Sequence, residues 1–148
     1  MQFGWINAVN AGFVIALIAI SVIGQKKSGL PAMSSRNLFL NTLEQIGRYA
    51  CMVLMIVPLL PKFEFGFQSV GAMAAWLIVS ALLLAEYALL WTQTGKGGNV
   101  FYSLAIVPAV LFLFCGILLR HPALIAAAVL FGVSHTLIVR ETLQTKTD

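Results

Sequence analysis

The sequence predicts an all-α fold, a polytopic transmembrane bundle of about five helices. Hydrophobic residues make up 60% of the 148 residues, and only 9% of the residues are charged. Soluble domains carry about 25% charged residues, so a fully water-exposed surface is excluded. The apolar residues also form long continuous runs and do not alternate with polar ones, which indicates spanning helices and not a membrane β-barrel.

Five apolar runs are each long enough for a membrane-spanning helix, which requires about 20 residues. The predicted spans cover residues 5–24, 42–60, 70–91, 100–119 and 123–139. Almost no residues remain for a soluble part, so we predict a single transmembrane domain over residues 1–148.

The residues that flank these runs support the predicted boundaries. The first run lacks the basic leader and the cleavage site of a signal peptide, so we expect it to remain as a span. Asn41 is a suitable N-cap for the second span, and Pro61 closes it. Only Arg120, His121 and Pro122 separate the last two spans, which must therefore form an antiparallel hairpin.

The distribution of basic residues predicts how the bundle is oriented. With five spans, one side of the membrane receives six basic residues and the other side receives two: Lys26, Lys27, Arg36, Lys96, Arg140 and Lys146 against Lys62 and Arg120. Because cytoplasmic loops carry the excess of Lys and Arg, we predict a multi-pass protein of the inner (cytoplasmic) membrane, N-terminus outside and C-terminus inside. No basic stripe with interleaved aromatic residues is present, so we expect no nucleic-acid partner.

Ionisable side chains inside the spans are the best functional candidates, because a charge there costs about 2.5–3.5 kcal/mol on insertion scales. The helical rise of about 1.5 Å per residue places all of them in the predicted cytoplasmic half, at a depth that two tyrosines share. We therefore predict a polar pocket in this half that binds a ligand or relays protons. Its predicted lining is Glu44, Arg48, Glu86, Tyr87, Tyr102 and His135.

Structural interpretations of the same residues remain open. Glu44 follows Asn41 by three residues, as in a capping box, and Arg48 lies one turn further on and can pair with it. Glu86 has no basic residue one turn away, so it is protonated, paired with Arg48 or His135, or in contact with water. His135 can equally be hydrogen-bonded to a backbone carbonyl.

Several chemistries are disfavoured by what the chain lacks. It contains no HExxH, GxSxG or nucleotide-binding glycine motif, and its only aspartate is Asp148. His121 and His135 are predicted at opposite ends of the bundle, so we expect no metal site and no cofactor. Cys51 and Cys115 lie in apolar runs without metal-ligand spacing, which is typical of core residues. No catalytic residue can be assigned, and whether the protein is an enzyme stays undecided.

Three segments resemble stretches of small bacterial membrane proteins with several spans. They are residues 43–52 (LEQIGRYACM), 115–120 (CGILLR) and 131–135 (FGVSH), and the likeness extends over most of the chain. This group has no known activity. The resemblance therefore implies a bacterial polytopic membrane protein without implying a particular function.

Three functions are consistent with the sequence. We favour a small transport or ligand-binding protein, and because five short helices enclose little volume we consider it a candidate homo-oligomer. In the predicted outer half only Asn7, Asn10 and Ser80 are polar, and we interpret the asparagines as interfacial, which argues against a simple channel. The second function is an integral membrane enzyme or lipid-binding protein at the cytoplasmic leaflet, and the third is an accessory subunit of a membrane complex. The expected partners are membrane lipid and a small-molecule or lipid ligand.

Overall fold

A computed structural model describes residues 4–29, 35–57, 66–94 and 98–144 of the chain. Within these ranges the chain forms five helices and no strand: α1 (Trp5–Ser28), α2 (Leu38–Ile56), α3 (Val70–Trp91), α4 (Gly98–Leu118) and α5 (Pro122–Gln144). The predicted helical bundle is thus confirmed. Four of these helices, α1, α3, α4 and α5, are long and apolar enough to cross a membrane, which identifies a multi-pass membrane protein.

The second helix begins one turn earlier than the sequence predicts. The N-cap is Asn37 and not Asn41, since the Asn37 side chain accepts a hydrogen bond from the Phe39 backbone N–H at 3.0 Å. Asn41 instead holds the preceding loop: its side chain accepts from the Ser35 N–H and donates to the Ser35 carbonyl, both at 2.8 Å. The interpretation of Asn41 as the N-cap was therefore wrong, because Asn41 lies inside α2 and holds this loop.

The polarity of α2 also distinguishes it from the other helices. It ends at Ile56, and Pro61, which we expected to close this span, lies outside the described residues. α2 is not among the four helices that are apolar enough to span a membrane. Glu44 and Arg48 both belong to α2 and lower its hydropathy. Their side chains form a hydrogen bond with each other.

The helices contact one another in a ring, in the order α1, α2, α5, α4, α3 and back to α1. α1 and α3 are parallel, because Phe13 packs on Trp76 and Gly24 packs on Trp91. α2 and α5 are antiparallel, and so are α4 and α5. As a result, the C-terminal ends of α1, α3 and α5 meet the N-terminal ends of α2 and α4, and we call this the Glu44 end.

The opposite end, which we call the His121 end, contains the turn between α4 and α5. Arg120 adopts a left-handed conformation (φ 57°) there, and the His121 Nδ1 atom accepts a hydrogen bond from the Leu124 N–H at 3.1 Å, which caps α5. Burial lowers the pKa of His121 below its usual value. The contact of Gly116 with Ile125 confirms the predicted antiparallel hairpin.

The core lies along the axis of the ring. Trp76 is fully buried, and the rings of Trp5 and Phe13 pack edge-on against it at centroid distances of 6.2 and 5.5 Å. Cys51 and Cys115 are buried free thiols, which agrees with their interpretation as core residues.

Basic residues concentrate at the Glu44 end in the described part of the chain. Lys26, Lys27, Arg36 and Arg140 lie there, whereas Arg120 lies at the His121 end. Lys62, Lys96 and Lys146 lie outside the described residues. The predicted orientation depends on this asymmetry and stays a prediction.

Candidate functional site

A cavity of about 440 Å³ lies inside the ring, in the half of the bundle toward the Glu44 end. Small-molecule sites typically measure about 300–1,000 Å³, so the cavity is large enough for a ligand. All five helices contribute to its lining, which is largely aliphatic and aromatic. Its polar lining residues are Ser21, Gln25, Gln45, Arg48, Tyr49, Tyr87 and His135.

Three ionisable side chains meet beside this cavity, and we call them the Glu44 cluster: Glu44, Arg48 and His135. The Glu44 carboxylate accepts a hydrogen bond from the Arg48 guanidinium, one turn along the same helix. The His135 Nδ1 atom of α5 lies 3.1 Å from the same Glu44 oxygen. Glu44 is only 3% exposed, and a buried carboxylate requires such partners. Its interpretation as a helix-capping residue was therefore wrong.

A glycine on α2 brings the two helices of this cluster together. A Cβ atom on Gly47 would lie 2.9 Å from both the backbone N and the Cα of Phe131, which is closer than side chains tolerate. Small residues permit such close approach of membrane helices. The Phe131 ring in turn stacks on the His135 ring, with centroids 5.2 Å apart and planes inclined by 26°. Gly47 thus sets the spacing at which Glu44 reaches His135.

A second contact ties the start of α2 to the end of α5. The Ser35 hydroxyl donates a hydrogen bond to one Glu141 carboxylate oxygen, and the Arg36 backbone N–H donates to the other at 3.2 Å. This contact was not predicted for Glu141, which we interpreted as part of an ordinary helix end. This contact and Gly47 together fix α2 on α5 on both sides of the Glu44 cluster.

The Arg48 side chain is the cation that lines the cavity, and it is 35% exposed. A guanidinium has five N–H donors, and its planar shape suits carboxylate and phosphate groups. One of these donors is used by Glu44, which holds the side chain in place. Phe101, Leu104 and Phe112 form the apolar wall of the same cavity. The arrangement combines one oriented cation with a large apolar volume.

The structure unites four of the six predicted site residues and separates two. Arg48, Tyr87 and His135 line the cavity, and Glu44 lies behind them in the cluster. Glu86 is exposed on the outer surface of α3, and Tyr102 is half-buried but outside the lining. Consecutive helical residues point about 100° apart, so Tyr87 turns inward where Glu86 turns outward. Equal depth in the membrane did not imply a common face.

The first helix contributes cavity residues that the sequence analysis missed. Ser21 and Gln25 lie one turn apart, and the Gln25 amide donates to the Ser21 hydroxyl at 3.2 Å. Gly24 between them is covered by the Trp91 indole, which also lines the cavity. Their spacing of four residues on one helix face was a usable signal.

The other half of the bundle buries polar side chains as well. Asn7 and Asn10 on α1 and Ser80 on α3 are all nearly or fully buried against neighbouring helices. The Ser80 hydroxyl lies 3.5 Å from the Cys115 sulfur. Within the described part of the chain, neither the nitrogen nor the oxygen of the fully buried Asn10 amide has a hydrogen-bond partner.

Metal binding finds no support in the described ranges, where no group of three or more His, Cys, Asp or Glu side chains is placed to hold an ion. The sequence matches no protein-family model, and no similar curated protein or solved structure is found. The resemblance to small bacterial membrane proteins therefore stays a prediction, and any functional conclusion rests on the cavity and the Glu44 cluster.

Proposed function

We propose that this protein binds a small amphipathic anion in the cavity near the Glu44 end. The observation that carries the proposal is the position of Arg48, a cation held by a buried carboxylate in the wall of a largely apolar cavity. An amphipathic anion presents a carboxylate or phosphate to Arg48 and an apolar body to the walls. Ligand binding of this kind is also the first step of transport.

The surrounding charges support an anionic ligand. The Glu44 carboxylate accepts a hydrogen bond from Arg48 and lies beside His135, and the Glu141 carboxylate accepts a hydrogen bond from the loop before α2. Both acidic groups are thus already engaged within the protein. Lys26 and Lys27, at the last turn of α1, follow directly after Gln25 of the cavity lining. Positive potential around the opening attracts anions and raises their local concentration.

Fluorescence titration with a polyene fatty acid tests the proposal, because the emission of this probe rises in an apolar site. Arg48→Gln should weaken its binding by about tenfold or more, since a hydrogen bond to a charged group is worth about 1.5–3 kcal/mol. Arg140→Gln is the matched control, because Arg140 is exposed at the same end and lies outside the cavity lining. Equal affinities of the two variants would overturn the proposal.

The location in the inner membrane and the orientation belong to the same proposal. The basic residues at the Glu44 end support a cytoplasmic position of the cavity, because cytoplasmic loops carry the excess of Lys and Arg. A reporter that is active only in the cytoplasm should be active when fused to the C-terminus and inactive when fused to the N-terminus. The opposite pattern would place the cavity at the outer leaflet.

Transport of the ligand is a second candidate function, and the buried amide of Asn10 favours it. A fully buried polar group without a partner carries a desolvation penalty that a passing solute or water would relieve. Asn10→Cys should react with a membrane-impermeant thiol reagent added from the His121 side of vesicles. Val14→Cys, buried on the same face of α1, and the wild-type chain with its two buried cysteines are the controls. No reaction at position 10 would leave a one-sided binding site.

A further inference from the structure

The lining of the cavity differs in exposure from one helix to the next. Lining residues on α3, α4 and α5 are buried or half-buried. Lining residues on α1 and α2 include side chains that are also exposed on the outside of the bundle. They are Ile18, Val22 and Gln25 on α1 and Gln45 and Tyr49 on α2. A side chain that is exposed and also lines a cavity marks the rim of its opening, so the cavity opens between α1 and α2.

The spacing of the lining residues places them on one face of each helix. On α1 they recur after four and three residues, and on α2 the same spacing continues from Gln45 through Tyr49 to Met52. Residues at such spacing lie on one face of a helix. Two facing stripes, about two turns long, thus border the opening, which we call the α1–α2 portal.

The outer surface beside the portal is largely apolar. Val22 is 58% exposed and Tyr49 is 62% exposed. The neighbouring outer residues Ile23, Ile46 and Val53 are exposed and aliphatic, as expected for surface in contact with acyl chains. The two glutamines of the portal, Gln25 and Gln45, both lie at its Glu44 end.

This gradient matches the chemistry of a lipid. Gln25, Gln45 and Arg48 provide donors at one end of the portal, and Leu104 and Phe112 provide an apolar floor deeper in the bundle. The volume of about 440 Å³ accommodates part of a lipid, and the portal lets the remainder extend into the bilayer. The basic side chains at this end favour an anionic headgroup over a zwitterionic one.

Building on the proposed function, we infer that the ligand is a membrane lipid with an anionic headgroup, which enters sideways from the bilayer through the α1–α2 portal. Its headgroup binds Arg48, and one acyl chain occupies the cavity. Access from the bilayer distinguishes this inference from binding of a water-soluble anion.

Photolabelling in vesicles tests the inference. The probe is phosphatidylglycerol with a diazirine in its acyl chain, and the labelled residues are located by mass spectrometry. Leu104 and Phe112 are 7% and 1% exposed, so lipid around the outside of the bundle cannot label them. We expect these two residues to be labelled in the wild-type protein. Phosphatidylcholine with the same label should label them at least threefold less, and equal labelling would overturn the anionic headgroup.

A matched pair of variants tests the route. Val22→Trp fills the portal and should reduce labelling of Leu104 and Phe112 at least fivefold. Ile23→Trp, at an adjacent and equally exposed position outside the lining, should leave the labelling unchanged. Wild-type elution in gel filtration shows that both variants are folded. Equal labelling in both variants would overturn entry through the portal.

The fatty-acid titration separates this inference from the proposed function. If Arg48 governs binding of the fatty acid but lipid never labels the floor, the lipid inference fails and the proposed function stands. Displacement of the fatty acid by millimolar inorganic phosphate, without floor labelling, would then identify a soluble phosphate as the source. If the fatty acid does not bind either, both fail.

Discussion

The two halves of this bundle bury polar side chains under different conditions. At the Glu44 end, the buried carboxylate of Glu44 accepts a hydrogen bond from Arg48 on its own helix and lies 3.1 Å from the His135 Nδ1 atom of α5, which makes no hydrogen bond within the described residues. In the other half, the amide of Asn10 is equally buried and has no hydrogen-bond partner among the described residues. A buried polar group with hydrogen-bond partners holds the neighbouring side chains in one arrangement. A buried polar group without partners lowers the stability of the fold, because its lost hydration is not replaced. The first half is thus built as an oriented site, and the second half retains a polar group that the described chain does not satisfy.

The largest expected effect concerns the close contact that assembles the paired half. Gly47→Leu places a side chain where the Phe131 backbone lies, so α2 and α5 must separate and the Glu44 cluster must break. We expect the variant to lose folded, monodisperse protein in gel filtration. Gly12→Leu is the matched control, because a Cβ atom at Gly12 meets nothing within 4 Å. Wild-type behaviour of both variants would show that the close approach is dispensable.

Removal of the buried carboxylate should have the next largest effect. Glu44→Ala leaves the partly exposed Arg48 guanidinium without its hydrogen-bonded partner, and losing a hydrogen bond to a charged group costs about 1.5–3 kcal/mol. Equilibrium unfolding in mixed detergent micelles measures the change in the free energy of unfolding. Glu86→Ala, which removes an exposed carboxylate on α3, should change it little. If the two variants lose the same stability, the cluster does not hold the bundle together.

The unpaired half should respond with the opposite sign. Asn10→Leu replaces a buried amide without partners by an apolar side chain, so the free energy of unfolding should rise by about 1–3 kcal/mol. The same detergent unfolding experiment measures it. A loss of stability would mean that water or another group forms hydrogen bonds with Asn10. The buried polar groups of both halves would then have partners.

A smaller effect is expected from pH at the His121 end. Burial lowers the pKa of His121 in the folded protein, so below its unfolded pKa of about 6.5 the unfolded state binds the proton more readily and stability falls. Above that pH both states are neutral and the effect is absent. His121→Asn keeps a side chain that can cap α5 but does not titrate. Its melting temperature should fall less than that of the wild type between pH 7 and pH 5. Parallel curves for the two proteins would contradict this assignment.

The fold was predictable because composition and run length dominate in a membrane. Apolar runs located all five helices, and the start and end of α3 agree with the predicted 70–91. The start of α2 was missed because two asparagines compete for the cap and only the fold shows which one the preceding loop occupies. The local sequence alone does not show which of the two asparagines is the N-cap.

The sequence predicted how far along each helix the site residues lie, but not which way their side chains point around the helix axis. The helical rise put Glu44, Arg48 and His135 in the same half of the bundle, and in the structure they lie together. Rotation about a helix axis was not predictable for α3, whose residues are apolar nearly all around, so Glu86 and Tyr87 could not be distinguished. The roles of Gly47 and Glu141 depend on a neighbour far away in the sequence, and a single chain gives no signal for such pairs.

The pairing of Glu44 has a consequence for the order of synthesis. Membrane helices leave the ribosome in chain order, and at about 5–20 residues per second His135 emerges several seconds or more after Glu44. During that interval α2, which is not among the described helices apolar enough to span a membrane, carries a carboxylate whose neighbour on α5 does not yet exist. Arg48 lies one turn away on the same helix, so the two charges can neutralise each other at once. The local pair thus neutralises the charges of this polar helix before the last helix is made.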